Sequence, residues 1–333
     1  MDEFSLIDRL VAGLPLQAEG LLCGVGDDCA VLAGDGRRDW LLSTDHCIEG
    51  VHFRPEWISW HHVGRKAALA AISDIAAMGG RPRFLMVALA APQHMDVASV
   101  EACYRGICDV AQSLSVVIIG GDMAHSTVGF CCTLTAIGDI AHGRAIYRRG
   151  ARSGDAVYVT GAFGAAALGL RLLQNGQRDM HDPAIFRQCE PPSRVACGQW
   201  LATTGCVSAM IDVSDGLLSD LQHLARFSHV GLRIDGLRVP IDPALAVDTM
   251  DLAEHEPLQL ALTGGEDYEL AFTVAGPRAG IFHQLSTAVE RTLGHSMTRI
   301  GEVVAGADVV VLDTAGQPMT NTYTGFVHHF GEG

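Results

Sequence analysis

The chain is short of positive charge. Its 333 residues hold 23 lysines and arginines against 38 aspartates and glutamates, a formal net charge of −15. A nucleic-acid partner would need a basic footprint, so none is expected. Ten cysteines are present, yet no two stand as C-x-x-C, which leaves zinc ribbons and redox dithiols unsupported. The run "FCC" (130–132) reads as strand core, and reduced, mostly buried thiols are expected. No apolar run reaches the roughly 18 residues of a membrane span. The acidic start "MDEFSLIDRL" lacks the basic region of a signal peptide, so the expectation is a cytoplasmic protein with no membrane partner. The sequence contains no G-x-x-x-x-G-K-[ST] loop, no G-x-S-x-G elbow and no H-E-x-x-H pair.

With 48% hydrophobic residues the chain can bury sizeable cores, and its length suits about two domains. Apolar runs at "WLLST" (40–44), "RFLMVALAAP" (83–92), "VVIIGGD" (116–122) and "GFCCTLTAIGDI" (129–140) read as strands. The first should end at Asp45 and the third should run into a Gly-Gly turn at Asp122. After Asp96, an N-cap candidate, Val97, Val100, Tyr104, Ile107, Ala111 and Leu114 recur at helical steps. The basic segment 143–155 is the expected boundary between a domain over 1–150 and another over 151–333. Beyond it, "DAVYVTG" and "SAMIDV" read as strands, and "LQLAL" (258–262) reads as a strand ahead of a Gly-Gly-acid turn. Strands and helices alternate in both halves, giving an α/β or α+β class.

The aspartates carry the most information. Asp27 and Asp28 stand beside glycines in "GVGDDCAVL", Asp45 follows an apolar run in "STDHCIEGVHF", and Asp122 closes "IIGGD". Asp212 and Asp215 flank Ser214 in "IDVSDGLLSDL", and Glu266 and Asp267 follow two glycines in "TGGEDYEL". Any one of these could be turn or capping chemistry. Asp74 resists that explanation because it sits inside "RKAALAAISDIAAMGG", an apolar helix with no lysine or arginine one turn away. A lone ionised carboxylate there costs several kcal/mol or more unless something neutralises it. Clustered carboxylates around Mg2+ would do so and would create a phosphate-binding surface. His52, just after the Asp45 segment, is open to two readings: a satisfied histidine at a sheet end, or a ligand contact.

Seven stretches in order, "GVGDDCAVL", "STDHCIEGVHF", "SDIAAMGGRP", "IIGGD", "RRGARSGDAVYVTG", "IDVSDGLLSDL" and "TGGEDYEL", resemble the thiamine-monophosphate kinase family of the aminoimidazole-ribonucleotide-synthetase-like ATP-binding superfamily. The resemblance implies two α/β domains, with N-terminal domains of two copies pairing into a shared β-barrel. It implies transfer of the ATP γ-phosphate, directly and in line, to thiamine monophosphate. Asp28, Ser43, Thr44, Asp45, Asp74, Asp122, Asp212 and Asp215 match Mg2+-binding positions, and several ions are implied. Gly121, Asp122, Arg148 and Ser214 match ATP contacts; His52, Glu266 and Phe326 match substrate contacts. Asp45, Asp122, Asp212 and Arg148 would carry the chemistry, and a requirement for K+ is left open. The chain departs from the family pattern after Asp122, where Met123, Ala124 and His125 replace the more frequent Thr-Thr-Arg, and near Phe326 in "GFVHHF". Two alternatives stand beside this reading: another ATP-dependent enzyme of the superfamily, and a non-catalytic nucleotide-binding homologue.

Overall fold

The computed structural model describes residues 3–14, 17–246 and 256–319. The first half contains α1 (Glu3–Val11), β1 (Leu21–Cys23), β2 (Ala30–Ala33), β3 (Arg38–Ile48), α2 (Trp60–Ala77), β4 (Arg81–Pro92), α3 (Val97–Ser113), β5 (Val117–Ser126) and β6 (Cys131–Ala141). The second contains β7 (Ala156–Thr160), α4 (Ala165–Gln174), α5 (Pro183–Cys189), α6 (Val195–Thr204), β8 (Val207–Val213) and α7 (Leu217–Ser228). It continues with β9 (Gly231–Asp235), α8 (Glu256–Thr263), β10 (Glu269–Val274), α9 (Ala279–Leu293), β11 (Met297–Val304) and β12 (Val309–Leu312).

Each half has one mixed six-stranded sheet, ordered β1-β2-β3-β6-β4-β5 and β12-β9-β11-β7-β10-β8. Neither sheet closes on itself. In the first, β3 pairs antiparallel with β6 along its whole length, while β4 and β5 run parallel. Alternation along β3 sends Leu41 and Cys47 under α2, whereas Trp40 and Ile48 point to the uncovered face. The second sheet is covered on both sides. Leu217, Leu221 and Leu224 of α7 pack on one face, and Cys197, Leu201 and Phe282 of α6 and α9 on the other. Helices α4 and α5 instead join the core of the first half through Leu168, Leu172 and Ile185. All ten cysteines are free thiols, as expected, and Cys132 of "FCC" is buried strand core.

Three local readings change. Strand β3 does not stop at Asp45 but continues to Ile48, because β6 offers partners as far as Cys131. Strand β5 runs straight through Gly120, Gly121 and Asp122 without turning. A Cβ on Gly121 would stand 1.8 Å from the carbonyl oxygen of Val87, so the glycine serves close approach to β4 rather than a turn. "LQLAL" lies in helix α8, its apolar residues packing across the helix rather than alternating along a strand. Asp96 caps α3 as the periodicity predicts, accepting from Ser99 N at 2.7 Å.

Helix α2 supplies the site's central residues, and its position is set by α3. A Cβ on Gly64 would meet the Cys103 carbonyl oxygen at 1.9 Å, and one on Gly106 would meet that of His61 at 1.9 Å. The two helices cross with backbones nearly touching. In an open helix, glycine to alanine gains about 1 kcal/mol. Here Gly106→Ala is expected to lose roughly 1–3 kcal/mol by overpacking. Thermal unfolding checks the sign, and a raised midpoint would contradict the close crossing.

Candidate active site

Three acidic residues from separate parts of the chain meet at the C-terminal end of α2. Asp74 projects from that helix, Asp212 from the end of β8, and Asp28 from the turn before β2. One carboxylate oxygen from each lies within 4.8 Å of the other two. At an effective dielectric of about 20, two ionised groups at that separation repel by roughly 3 kcal/mol. Burial pushes Asp212 up to about 7, with the charge of Asp28 adding to it. Asp74 is raised well above the usual carboxylate range by burial, then by Asp212 and Asp28. Burial also raises Asp28, against the pull of Arg148.

The hydrogen bonds orient these carboxylates without neutralising them all. Ser43 Oγ donates to Asp74, and Ser73 Oγ donates to Asp212 at 2.6 Å. Arg148 alone brings a formal charge, with Nε and Nη2 at 3.0 and 2.6 Å from Asp28 Oδ1. The backbone N of Arg148 is held by Asp27, whose carboxyl burial and Asp28 push up to about 7. Asp28 Oδ2 is buried and has no hydrogen-bond partner. Three clustered carboxylates, one of which keeps a buried oxygen without a partner, fit a divalent cation with oxygen ligands. The nearby lysine and arginines of sequence do not help Asp74: Lys66 pairs with Glu266 and Arg65 with Glu190.

Two of the triad, Asp74 and Asp212, line a cavity of ≈ 620 Å³ together with Asp45, His52, Ser214, Asp215 and Glu266. Asp45 accepts from His46 N at 2.7 Å, and burial raises its carboxyl. Thr44 also lines the cavity, with its hydroxyl 2.6 Å from that of Thr135. His52 Nδ1 accepts from Ile48 N at 3.0 Å, so the histidine has a partner, and it also lines the cavity. Gly121 and Asp122 lie on exposed β5, outside the cavity lining. Phe326 lies outside the described residues.

Two turns are pressed together at the cavity floor. Glu266 N donates to Ser214 O at 2.7 Å, and Tyr268 N donates to Val213 O at 2.8 Å. Gly216 has φ +121°, and a Cβ there would lie 2.9 Å from the Thr263 carbonyl oxygen. Glu266 and Tyr268 both adopt left-handed φ, 68° and 49°. Non-glycine residues in that region cost about 1–3 kcal/mol each and persist where surroundings impose them, often at functional sites.

Sequence reasoning missed several contributors. Asp220, one turn into α7, is buried and accepts from Asp215 N at 3.1 Å. Lys66 carried the same signal as Asp74, a charge inside an apolar helix. Ser73 sits beside Asp74 in the quoted motif. Gln188, which donates to Glu266, has no distinguishing context in the sequence.

Residues 26–140 match the family "AIR synthase related protein, N-terminal domain", and 152–313 match its C-terminal domain. A thiamine-monophosphate kinase of Escherichia coli K12 is 35% identical over 98% of both chains. The solved structure of AaThiL complexed with AMPPCP and TMP superposes with TM-score 0.83 at 30% identity, covering 98% of this chain and 97% of that one. The thiamine-monophosphate kinase of Stenotrophomonas maltophilia K279a gives TM-score 0.75 at 34% identity, covering 93% and 96%. With its two-domain α/β architecture and resemblance along nearly its whole length, the chain belongs to the thiamine-monophosphate kinase family of AIR synthase related proteins.

Proposed function

We propose that this chain transfers the γ-phosphate of ATP to thiamine monophosphate, giving thiamine diphosphate and ADP. The observation that carries the reading is the triad of Asp28, Asp74 and Asp212, the last two lining the cavity, with a buried oxygen of Asp28 left unpartnered. Asp28, Asp74 and Asp212 would hold Mg2+, with Ser43, Thr44, Asp45, Asp122 and Asp215 as further candidates. When bound, Mg2+ would neutralise phosphate oxygens whose mutual repulsion dominates the barrier. The family likeness supports the nucleotide and the acceptor; the donor set supports the metal.

The chain's own residues would supply alignment and a fixed field. Ser43 and Ser73 hold the carboxylates of Asp74 and Asp212 in orientation. Arg148, clamped on Asp28 and anchored at its backbone by Asp27, sets a cation beside the triad for the ATP phosphates. Gly121, Asp122 and Ser214 complete the proposed nucleotide contacts. His52 and Glu266, with Phe326 from outside the described residues, are assigned to the acceptor. The accepting atom is a phosphate oxygen already ionised near neutral pH, so no strong base is needed. That accords with a site rich in acids. Transfer is direct and in line, with reacting oxygens brought together by the protein.

We assign 1–150 and 151–333 to the two domains, a division supported by the limits of the two family matches. We place the protein in the cytoplasm; no helix among the described residues is long and apolar enough to cross a membrane. We also propose a homodimer joined through the first sheet into a shared barrel. The outer face of that sheet exposes Trp40, Met86, Val117 and Ile119, an apolar area that a second copy would cover. Light scattering should then give twice the 35.3 kDa chain mass, and a monomer at micromolar concentration would contradict this arrangement.

Two further outcomes are expected. Purified protein with Mg-ATP should release ADP with thiamine monophosphate and not with free thiamine; tight ATP binding without turnover on either would favour a non-catalytic homologue. Asp74→Asn should lower turnover roughly a hundredfold or more. Without metal it should melt no lower than the parent, because one repelling charge is gone, and Mg2+ should no longer raise its midpoint. Near-normal turnover, or an intact Mg2+ shift, contradicts the ligand role.

A further inference from the structure

Among the described residues, Lys66 is the one lysine or arginine that lines the cavity. It is 3% exposed. Its Nζ stands 2.8 Å from Glu266 Oε1 and donates to His52 O at 3.3 Å. A cation in a phosphotransfer cavity invites a phosphate-gripping role, but its position argues otherwise. Lys66 precedes Asp74 by eight residues on α2, which is about 12 Å along the axis. Its ammonium is also committed to a carboxylate. Lys66 therefore serves the end of the cavity away from the acid triad.

What it serves is Glu266. Lys66 holds one oxygen of that carboxylate, and Gln188 Nε2, from buried α5, donates to the other. The backbone of Glu266 is pinned in left-handed φ by its N–H to Ser214 O. Both oxygens, the backbone and the charge of this cavity-lining acid are fixed before any ligand arrives, which is how a recognition group is pre-organised. Because Lys66 already balances its charge, Glu266 has little to gain from a second cation. It can still accept a hydrogen bond in a defined direction. In thiamine monophosphate the group farthest from the phosphate is the aminopyrimidine, whose exocyclic amine is a neutral donor; the thiazolium charge lies between.

Resting on the function proposed above, we infer that Lys66, together with Gln188, is a positioning residue. It holds Glu266 as an oriented acceptor for the exocyclic amine, so that selectivity at this end reads a hydrogen-bond donor and not the substrate's positive charge.

Steady-state kinetics with thiamine monophosphate and with its analogue lacking the exocyclic amine tests this. Lys66→Met should raise KM for thiamine monophosphate roughly ten- to a hundredfold, the range of a hydrogen bond to a charged group. KM for ATP should stay put, and Lys66→Arg should restore most of the loss. The unmodified chain should discriminate against the analogue, and Lys66→Met should not. Lys66→Met strands a partly buried carboxylate and can fail to fold. The double variant Lys66→Met with Glu266→Gln removes that charge and should show the same loss of discrimination. A fall in kcat with unchanged KM would place Lys66 at the phosphates and overturn the inference. So would a parallel rise in KM for ATP, a loss of thermal stability alone, or discrimination that survives both variants. Absence of turnover by the unmodified chain contradicts the parent reading and takes this one with it; turnover with an unaltered KM pattern contradicts this one alone.

Discussion

The site is organised by a charge imbalance. Three buried or half-buried carboxylates, from the turn before β2, from α2 and from β8, are brought within 4.8 Å, and among the described residues only Arg148 forms an ion pair with any of them. Serines supply direction, but a hydroxyl supplies no net charge. Such an arrangement stores repulsion in the folded protein, visible as carboxyl groups pushed well up from their ordinary range. A cation that turns the repulsion into coordination would then be held firmly, and the filled site would attract phosphates to a protein whose net charge repels them.

The fold's task is to aim elements from both halves at one place. Helix α2 lies under the first sheet, fixed by its glycine-mediated crossing with α3, yet Asp74 meets Asp212 from the second sheet. The 263–268 turn is clamped to the end of β8, so Glu266 and Asp212 share a rigid support although 54 positions apart in sequence and carried on separate elements. The cavity between them has two ends of different character: repelling acids at one, and a closed ion pair of Lys66 and Glu266 at the other. That polarity suits an acceptor molecule with a phosphate at one end and an organic group at the other.

Much of this was legible in the sequence, for identifiable reasons. Asp74 broke the rule that apolar helices exclude charge, and that violation marked the site's centre. Strand–turn–acid patterns marked Asp28, Asp45, Asp212 and Glu266. The strands that were misjudged failed for physical causes. β3 extends past Asp45 because of its distant partner β6, and the Gly-Gly of β5 answers to the backbone of β4 and not to a turn. Helix α8 shows that a short apolar run does not settle its own period. The partners of Glu266 were hidden differently. Gln188 is an ordinary residue in sequence that matters only because α5 brings it to Glu266. Asp220 carries no mark in the sequence and is a buried acceptor for the Asp215 backbone.

The central claim is that the triad is a cation site and not merely a strained knot of acids. Anomalous diffraction from crystals grown with Mn2+ and a non-hydrolysable ATP analogue tests it most directly. The account expects an anomalous peak in contact with carboxylate oxygens of Asp28, Asp74 and Asp212 together. Nucleotide bound in the cavity with no peak at those three oxygens, or with a lysine or arginine swung in to neutralise them, would contradict it.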